Sequence, residues 1–317
     1  LLAVIAVTVT ITVLVVGKDS GGNSPTPTQT NGSTSDIASA NDKGPATIIT
    51  EDPTCAATTP IFQTLSDVQR NGWDKRDPSI PASSWTPDVR AQFETVGQGM
   101  RSAADQMVPL VKRTTHRVMR ELYEQFTAYA RTYADSIPRY TPRDDQLALA
   151  SGSAANALGE ICSAISYGSA SARAPFVPVP AAPVSVAPLG DPANPKRFLT
   201  EANTVCADWT ARSSQFRNDT AAWADIHSDI PASQWTPEER ATNDAVAPVM
   251  DAFATELQAL GERSGNPNLE DFAVLSAQYR RAYVNSLPSY IPSDNYLASA
   301  AVMVGGVVEG ACLAIGE

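Results

Sequence analysis

The sequence predicts an all-α protein: two tandem, disulfide-tied, up-down four-helix bundles behind an N-terminal transmembrane helix. Three observations carry this expectation: an apolar N-terminal run, four cysteines apportioned two and two, and a chain that repeats itself at a spacing of 150 residues. Laid on itself at that offset, Ile80-Pro-Ala-Ser-Ser-Trp85-Thr-Pro falls on Ile230-Pro-Ala-Ser-Gln-Trp235-Thr-Pro. Likewise Ser136-Ile-Pro-Arg-Tyr140-Thr-Pro falls on Ser286-Leu-Pro-Ser-Tyr290-Ile-Pro. About 29 of the 93 positions from Trp73 to Ile165 are identical to their partners without a gap, which makes chance similarity untenable.

Residues 1–17 hold an uncharged stretch of Leu, Ile and Val that ends at Gly17-Lys18-Asp19, read as a membrane anchor. A cleaved signal peptide calls for small residues before its cut, which Val-Leu-Val-Val-Gly-Lys does not supply, and no cysteine beside the run accepts lipid. Orientation is therefore expected to follow from the cysteines. Residues 18–52 are rich in Gly, Ser, Thr, Asn and Pro and read as a disordered tether. Residues 53–170 form the first bundle, 171–195 a stiff Pro/Ala/Val linker, and 196–317 the second bundle.

Within each copy four helices are expected. The first, from Cys55 or Cys206, is the least regular. The second opens on Thr86-Pro87-Asp88 or Thr236-Pro237-Glu238: an N-cap, a proline that forfeits no helical hydrogen bond, and an acid at the positive end of the dipole. Its apolar residues recur at helical spacing as Val96, Met100, Ala103, Met107, Leu110 and as Val246, Met250, Phe253, Leu257, Leu260. The third buries Leu122, Phe126, Tyr129, Tyr133 and Ile137, and Pro138 stops it. The fourth is rich in Ala and Gly. In the second copy it is apolar enough to raise a membrane span, but its counterpart holds Gln146, Ser151, Ser153, Asn156 and Glu160 and reads as a soluble core helix.

One early and one late cysteine per copy favour the pairs Cys55–Cys162 and Cys206–Cys312, because an up-down bundle sets the start of helix one beside the end of helix four. Such bonds persist only in an oxidising space, which places both copies outside the cytoplasm.

Catalytic signatures are absent from the sequence: no HExxH, no GxSxG, no phosphate-cradling Gly loop and no dinucleotide fingerprint. His116 and His227 face different residue types in the opposite copy and are not a shared design. No catalytic residue, metal or cofactor is expected, and a net charge of −11 argues against nucleic acid. The residues the copies share gather at one pole, opposite the disulfide: Trp85, Arg90, Arg131, Tyr133, Tyr140 and Asp144, with Trp235, Arg240, Arg281, Tyr283, Tyr290 and Asp294. They read either as a recognition patch or as a cap on the core in which Arg90 or Arg131 pairs with Asp144. Charge is not shared: residues 53–172 hold 12 basic and 12 acidic side chains, residues 196–317 hold 8 and 16. Lys112, Arg113, Arg117 and Arg120 cluster at the turn between helices two and three and are candidates for contact with anionic lipid, or else a solvated face.

The apolar start, the Ser/Thr/Pro-rich tether and paired-cysteine helical domains resemble the exported, membrane-anchored proteins of mycobacteria and related actinobacteria. The resemblance implies a cell-envelope location, single-pass in the cell membrane with the C-terminal domains extracytoplasmic, and supplies no site residues. The leading expectation is a non-enzymatic envelope protein whose two modules bind another envelope protein or a glycan. A carrier holding a lipid in an apolar cavity beside helix four is the alternative, and the input portion of a signalling protein is a third reading.

Overall fold

In the computed structural model, which describes residues 36–316, each copy's first helix starts at its cysteine. In the first copy α1 (Cys55–Gln69) is followed by α2 (Pro87–Arg113), α3 (Arg117–Ser136) and α4 (Asp145–Ser166). Gly168, in the left-handed region at φ 77°, ends α4 and turns the chain into the short α5 (Ser169–Arg173). The second copy comprises α6 (Cys206–Asp219), the single-turn α7 (Ala221–Ala224), α8 (Pro237–Arg263), α9 (Pro267–Ser286) and α10 (Asn295–Ile315). All regular structure among the described residues is helical. The anchor expected at residues 1–17 lies outside the described residues.

The starts of the long helices follow the expected chemistry. The Thr86 hydroxyl accepts from the Val89 amide at 3.3 Å, and Pro87 takes the first helical position. Thr236 accepts from Glu239 N at 3.1 Å while the Glu239 carboxylate accepts from Thr236 N at 2.7 Å, a reciprocal capping box. In the first copy α1 packs on α2 and α4, α2 on α3, and α3 on α4. In the second α6 packs on α8 and α10, α8 on α9, and α9 on α10. The disulfides are Cys55–Cys162 and Cys206–Cys312, closing each copy at the end expected from the duplication.

The copies are pressed together, and this departs from two bundles held apart by a spacer. Their most extensive helix contact is α4 against α10. It runs antiparallel: Ala150 abuts Gly310, Ser153 abuts Gly306, and Tyr167 stacks on Tyr296 with ring centroids 5.1 Å apart. A Cβ on Gly310 would lie 2.6 Å from Ala150 N, so the approach depends on the missing side chain. Among the described residues only Pro292–Ile315 is long and apolar enough to cross a membrane, and half of its most apolar stretch is buried, with α10 packed on α4, α6 and α9.

Residues 36–52 are a second correction. Ile37, Ala46, Ile48 and Ile49 are buried, so this part of the expected tether is core. The segment crosses to the other copy, where the Tyr279 hydroxyl lies 3.4 Å from Ile49 O and accepts from Ile49 N at 3.3 Å. The equivalent residues of the second copy make the reverse crossing: Tyr129 OH donates to Leu199 O at 3.4 Å, and Phe198 lies between Tyr129 and Phe272. Ile49 and Leu199, like Tyr129 and Tyr279, are duplicate positions. Each copy thus lends its leader to the other. Sequence composition suggested a free chain because few apolar residues are present, but those few are the ones buried.

The linker is likewise tied down at both ends. Arg173 forms a bidentate pair with Asp294, at 3.0 and 2.7 Å, and Phe176 O accepts from Asn285 Nδ2 at 2.9 Å. At the other end Ala193 O accepts from Arg131 at 2.6 Å.

Candidate functional site

The shared pole is built from aromatic rings whose polar ends are spent on local backbone. Trp85 Nε1 donates to Ile80 O at 2.8 Å and Trp235 Nε1 to Ile230 O at 2.9 Å. Tyr140 OH donates to Pro78 O at 2.9 Å and Tyr290 OH to Ser228 O at 2.6 Å. Tyr133, Tyr140, Tyr283 and Tyr290 are buried, and burial raises all four phenols. Trp85 packs on Phe93 and Tyr140, at centroid distances of 4.0 and 5.1 Å. Neither expected arginine pairs with Asp144. Arg90 and Arg240 donate to Ala82 O and Ala232 O at 2.7 and 2.6 Å, Arg131 pairs with Asp105, and Arg281 bonds Gln258. Asp144 accepts from the Thr141 amide at 2.7 Å, a local helix-entry bond, and Asp294 is taken by Arg173. Trp85, Trp235, Tyr140, Tyr290, Arg90 and Arg240 thus bond loop backbone beside the helix ends, whereas Arg131 and Arg281 bond side chains within α2 and α8; Trp85, Arg90, Arg131 and Arg281 are partly exposed and Arg240 is exposed.

The four-residue basic cluster divides. Lys112 and Arg113 are exposed, with Lys112 3.7 Å from Asp36. Arg117 and Arg120 are buried at the junction of the copies, which removes them as lipid contacts. Arg117 forms a bidentate pair with Asp271 of the other copy, both bonds 2.7 Å, and donates to Asp42 O and Gly44 O of the leader. Arg120 lies 3.3 Å from Glu121. Glu121 and Asp271 are duplicate positions, so two equivalent acids meet across the junction. Burial, reinforced by the facing Asp271 carboxylate, holds the Glu121 carboxyl well above the ordinary glutamate range. The helix periodicity of α3 placed Arg117 and Arg120 on a surface turn; the partner copy covering that turn was not visible in it.

One charged side chain has no such compensation. Arg280, on α9, is buried, and its Nε has no hydrogen-bond partner; among the described residues it forms no ion pair. Its guanidinium carbon sits 4.5 Å from the Phe216 ring centroid and 5.0 Å from that of Phe253. Those rings are stacked on each other at 4.2 Å and 11°. Burial pulls the guanidinium down to about 10, so it remains charged at neutral pH. A buried charge stripped of its partner typically costs about 3–5 kcal/mol, of which exposed-site cation–π contacts return about 0.5–1 each and desolvated ones more.

Arg280 faces a half-open cavity of about 130 Å³ lined by residues of α4, α6, α8, α9 and α10. Its walls include Leu257, Val302 and Met303, with the hydroxyls of Ser153 and Ser213. The floor is opened by Gly305 and Gly306; a Cβ on Gly306 would fall 2.8 Å from Ser153 Oγ. A groove of about 350 Å³ between α6 and α8 adjoins it, sharing Phe216 and Phe253 and continuing along Pro248 and Val249. The duplicate of Arg280 is Ala130, and Phe62, which stands where the second copy has Ser213, packs edge to face on Phe126 at 5.1 Å. An arginine aligned with a core alanine is the signal by which the sequence could have yielded this site. Among the described residues no group of acidic, His or Cys side chains is arranged to hold a metal ion.

These features define a class: a duplicated, all-helical protein locked by one disulfide per copy, made for an oxidising, exported setting. The chain belongs to the family of mycobacterial ESX-1 associated proteins, whose family model matches residues 37–316. It is 50% identical over 319 residues to an uncharacterized protein of Mycolicibacterium smegmatis (strain MKD8), across all of this chain and 85% of the relative. No solved structure matches the chain.

Proposed function

We propose that the chain is a non-enzymatic, exported binding protein that works in the secretion context its family description indicates, tethered to the membrane through residues 1–17. Each copy is read as an up-down four-helix bundle, and the pair acts as one body. The copies do not act as two independently ranging modules. The observation that carries the binding reading is the Pro-rich segment between the copies. Phe176 is 68% exposed, Val179 70% and Val184 fully exposed, on a stretch punctuated by Pro175, Pro178, Pro180, Pro183 and Pro188. An extended proline-rich strand loses little entropy on docking, and here both ends are already anchored, by Asn285 and Arg131. Exposed apolar side chains on such a strand serve a protein partner better than a glycan.

A photo-crosslinking residue at Val184, in cells with and without the ESX-1 genes, tests this. A discrete protein adduct is expected in the first case, and its loss in the second and in a Phe176→Ser, Val179→Ser background. Absence of any adduct in wild-type cells overturns the reading.

A further inference from the structure

The Arg280 chamber stands apart from the Pro-rich segment and does not depend on it. A charged guanidinium on a side chain only 4% exposed faces a half-open pocket whose walls are mostly apolar, with Ser153, Ser213 and the Arg217–Glu309 pair as the polar exceptions. No acid lining the cavity or its groove turns toward it. Glu309 is held by Arg217 in a bidentate pair at 2.9 and 3.0 Å, Asp219 accepts from Gln215, and Glu256 lies 3.8 Å from Arg212. The pocket is open to solvent, and most of its lining surface is apolar. Its chemistry asks for one anionic group joined to an apolar body.

We propose that this chamber binds an aliphatic carboxylate, its head paired with the Arg280 guanidinium and its chain passing the Phe216–Phe253 stack into the groove along Pro248 and Val249. A planar carboxylate matches the planar fork of arginine in a two-point bond. The Ser153 and Ser213 hydroxyls lie in the same cavity, and donate to whichever head-group oxygen the guanidinium leaves free. Ser153 belongs to the first copy, so the site is complete only when the copies are packed together. The first copy lacks the charge, because Ala130 stands at the duplicate position, and it carries the bulk of Phe62 where the second copy has Ser213. Duplication followed by this exchange of bulk converted one of two similar cores into a ligand chamber.

The test uses the whole exported chain with both disulfides oxidised, stripped of lipid by organic extraction and refolded. The probe is cis-parinaric acid, followed by its fluorescence, with oleic acid, oleyl alcohol and oleyl phosphate as competitors. Oleic acid is expected to displace the probe at concentrations at least tenfold below those of the alcohol. Arg280→Met should weaken probe binding at least tenfold and Arg280→Lys much less. Ser213→Leu, which fills the cavity and leaves Arg280 in place, should abolish binding while the fold persists by circular dichroism; this variant decides the matter if Arg280→Met does not fold. The proposal is overturned if the wild-type chain does not bind the probe, if acid and alcohol compete equally, or if Ser213→Leu binds as the wild type does. Stronger competition by oleyl phosphate overturns the carboxylate assignment.

Discussion

Glu160 is the side chain through which pH should act most visibly on stability. It lies on α4 near Tyr296, whose ring stacks on Tyr167, and burial alone pushes its carboxyl up to about 7 from the ordinary 4.5. Between those two values the folded chain keeps a proton that the unfolded chain has released. Stability therefore falls as pH rises from about 4.5 to about 7, and levels off above that. A shift of this size corresponds to about 3 kcal/mol at most, less where solvent reaches the carboxyl. Glu160→Gln, neutral throughout, should flatten that part of the profile, so that urea midpoints of variant and wild type converge at pH 4.5 and separate by pH 7.5, the variant being more stable. Parallel profiles would show that Glu160 is solvated. Glu121 acts in the same direction and is present in both proteins, so the difference isolates Glu160.

At the scale of the element, α4 against α10 is the seam on which the arrangement depends. Gly310 allows the two backbones to meet, since a Cβ there would lie 2.6 Å from Ala150 N and 2.9 Å from its Cα. Gly310→Ala should therefore cost about 1–3 kcal/mol, despite alanine's better helix propensity, because backbone atoms cannot rotate away as a side chain can. The opposite result, stabilisation by roughly the propensity difference, would mean the helices separate freely. The helices themselves were legible in the sequence, since Thr86-Pro87-Asp88, the apolar spacing from Val96 to Leu110 and the stop at Pro138 are local signals. The disulfide pairs were legible because duplication supplied the geometry. The seam was not. Ala- and Gly-rich faces announce close packing without naming the partner, and Gly310 aligns with Glu160, so the duplicate positions do not mark it. Nor was the fate of Arg117, whose charge suggested a surface until Asp271, 154 residues away, was found against it. Arg280 was hidden for the opposite reason: its alignment with Ala130 was visible, but an arginine beside Arg281 near the middle of a helix reads as an ordinary solvated pair.

For the whole molecule, the exchanged leaders make a prediction that the duplication by itself does not. Two copies joined by a spacer would unfold independently, the more acidic second copy responding separately to salt and pH. Here the Ile48 and Ile49 side chains are buried, Ile49 is bonded to Tyr279 of the second copy, and Leu199 is bonded to Tyr129 of the first. Arg117 adds a buried ion pair that neither copy can satisfy alone. Calorimetry of the oxidised chain should accordingly show one transition, its calorimetric and van't Hoff enthalpies equal. Removing residues 1–49 takes away Ile37, Ala46, Ile48 and Ile49, at about 1.5–3 kcal/mol for each buried isoleucine, and uncovers Tyr279 at the same time. The deletion should lower the stability of the second copy even though every residue removed lies ahead of the first. Quenching of Trp209 and Trp223 in a chain whose Trp73, Trp85 and Trp235 are replaced by Phe reports that copy directly. If its midpoint stays at the full chain's value while the first copy weakens, the leaders are not exchanged and the copies are separate domains after all.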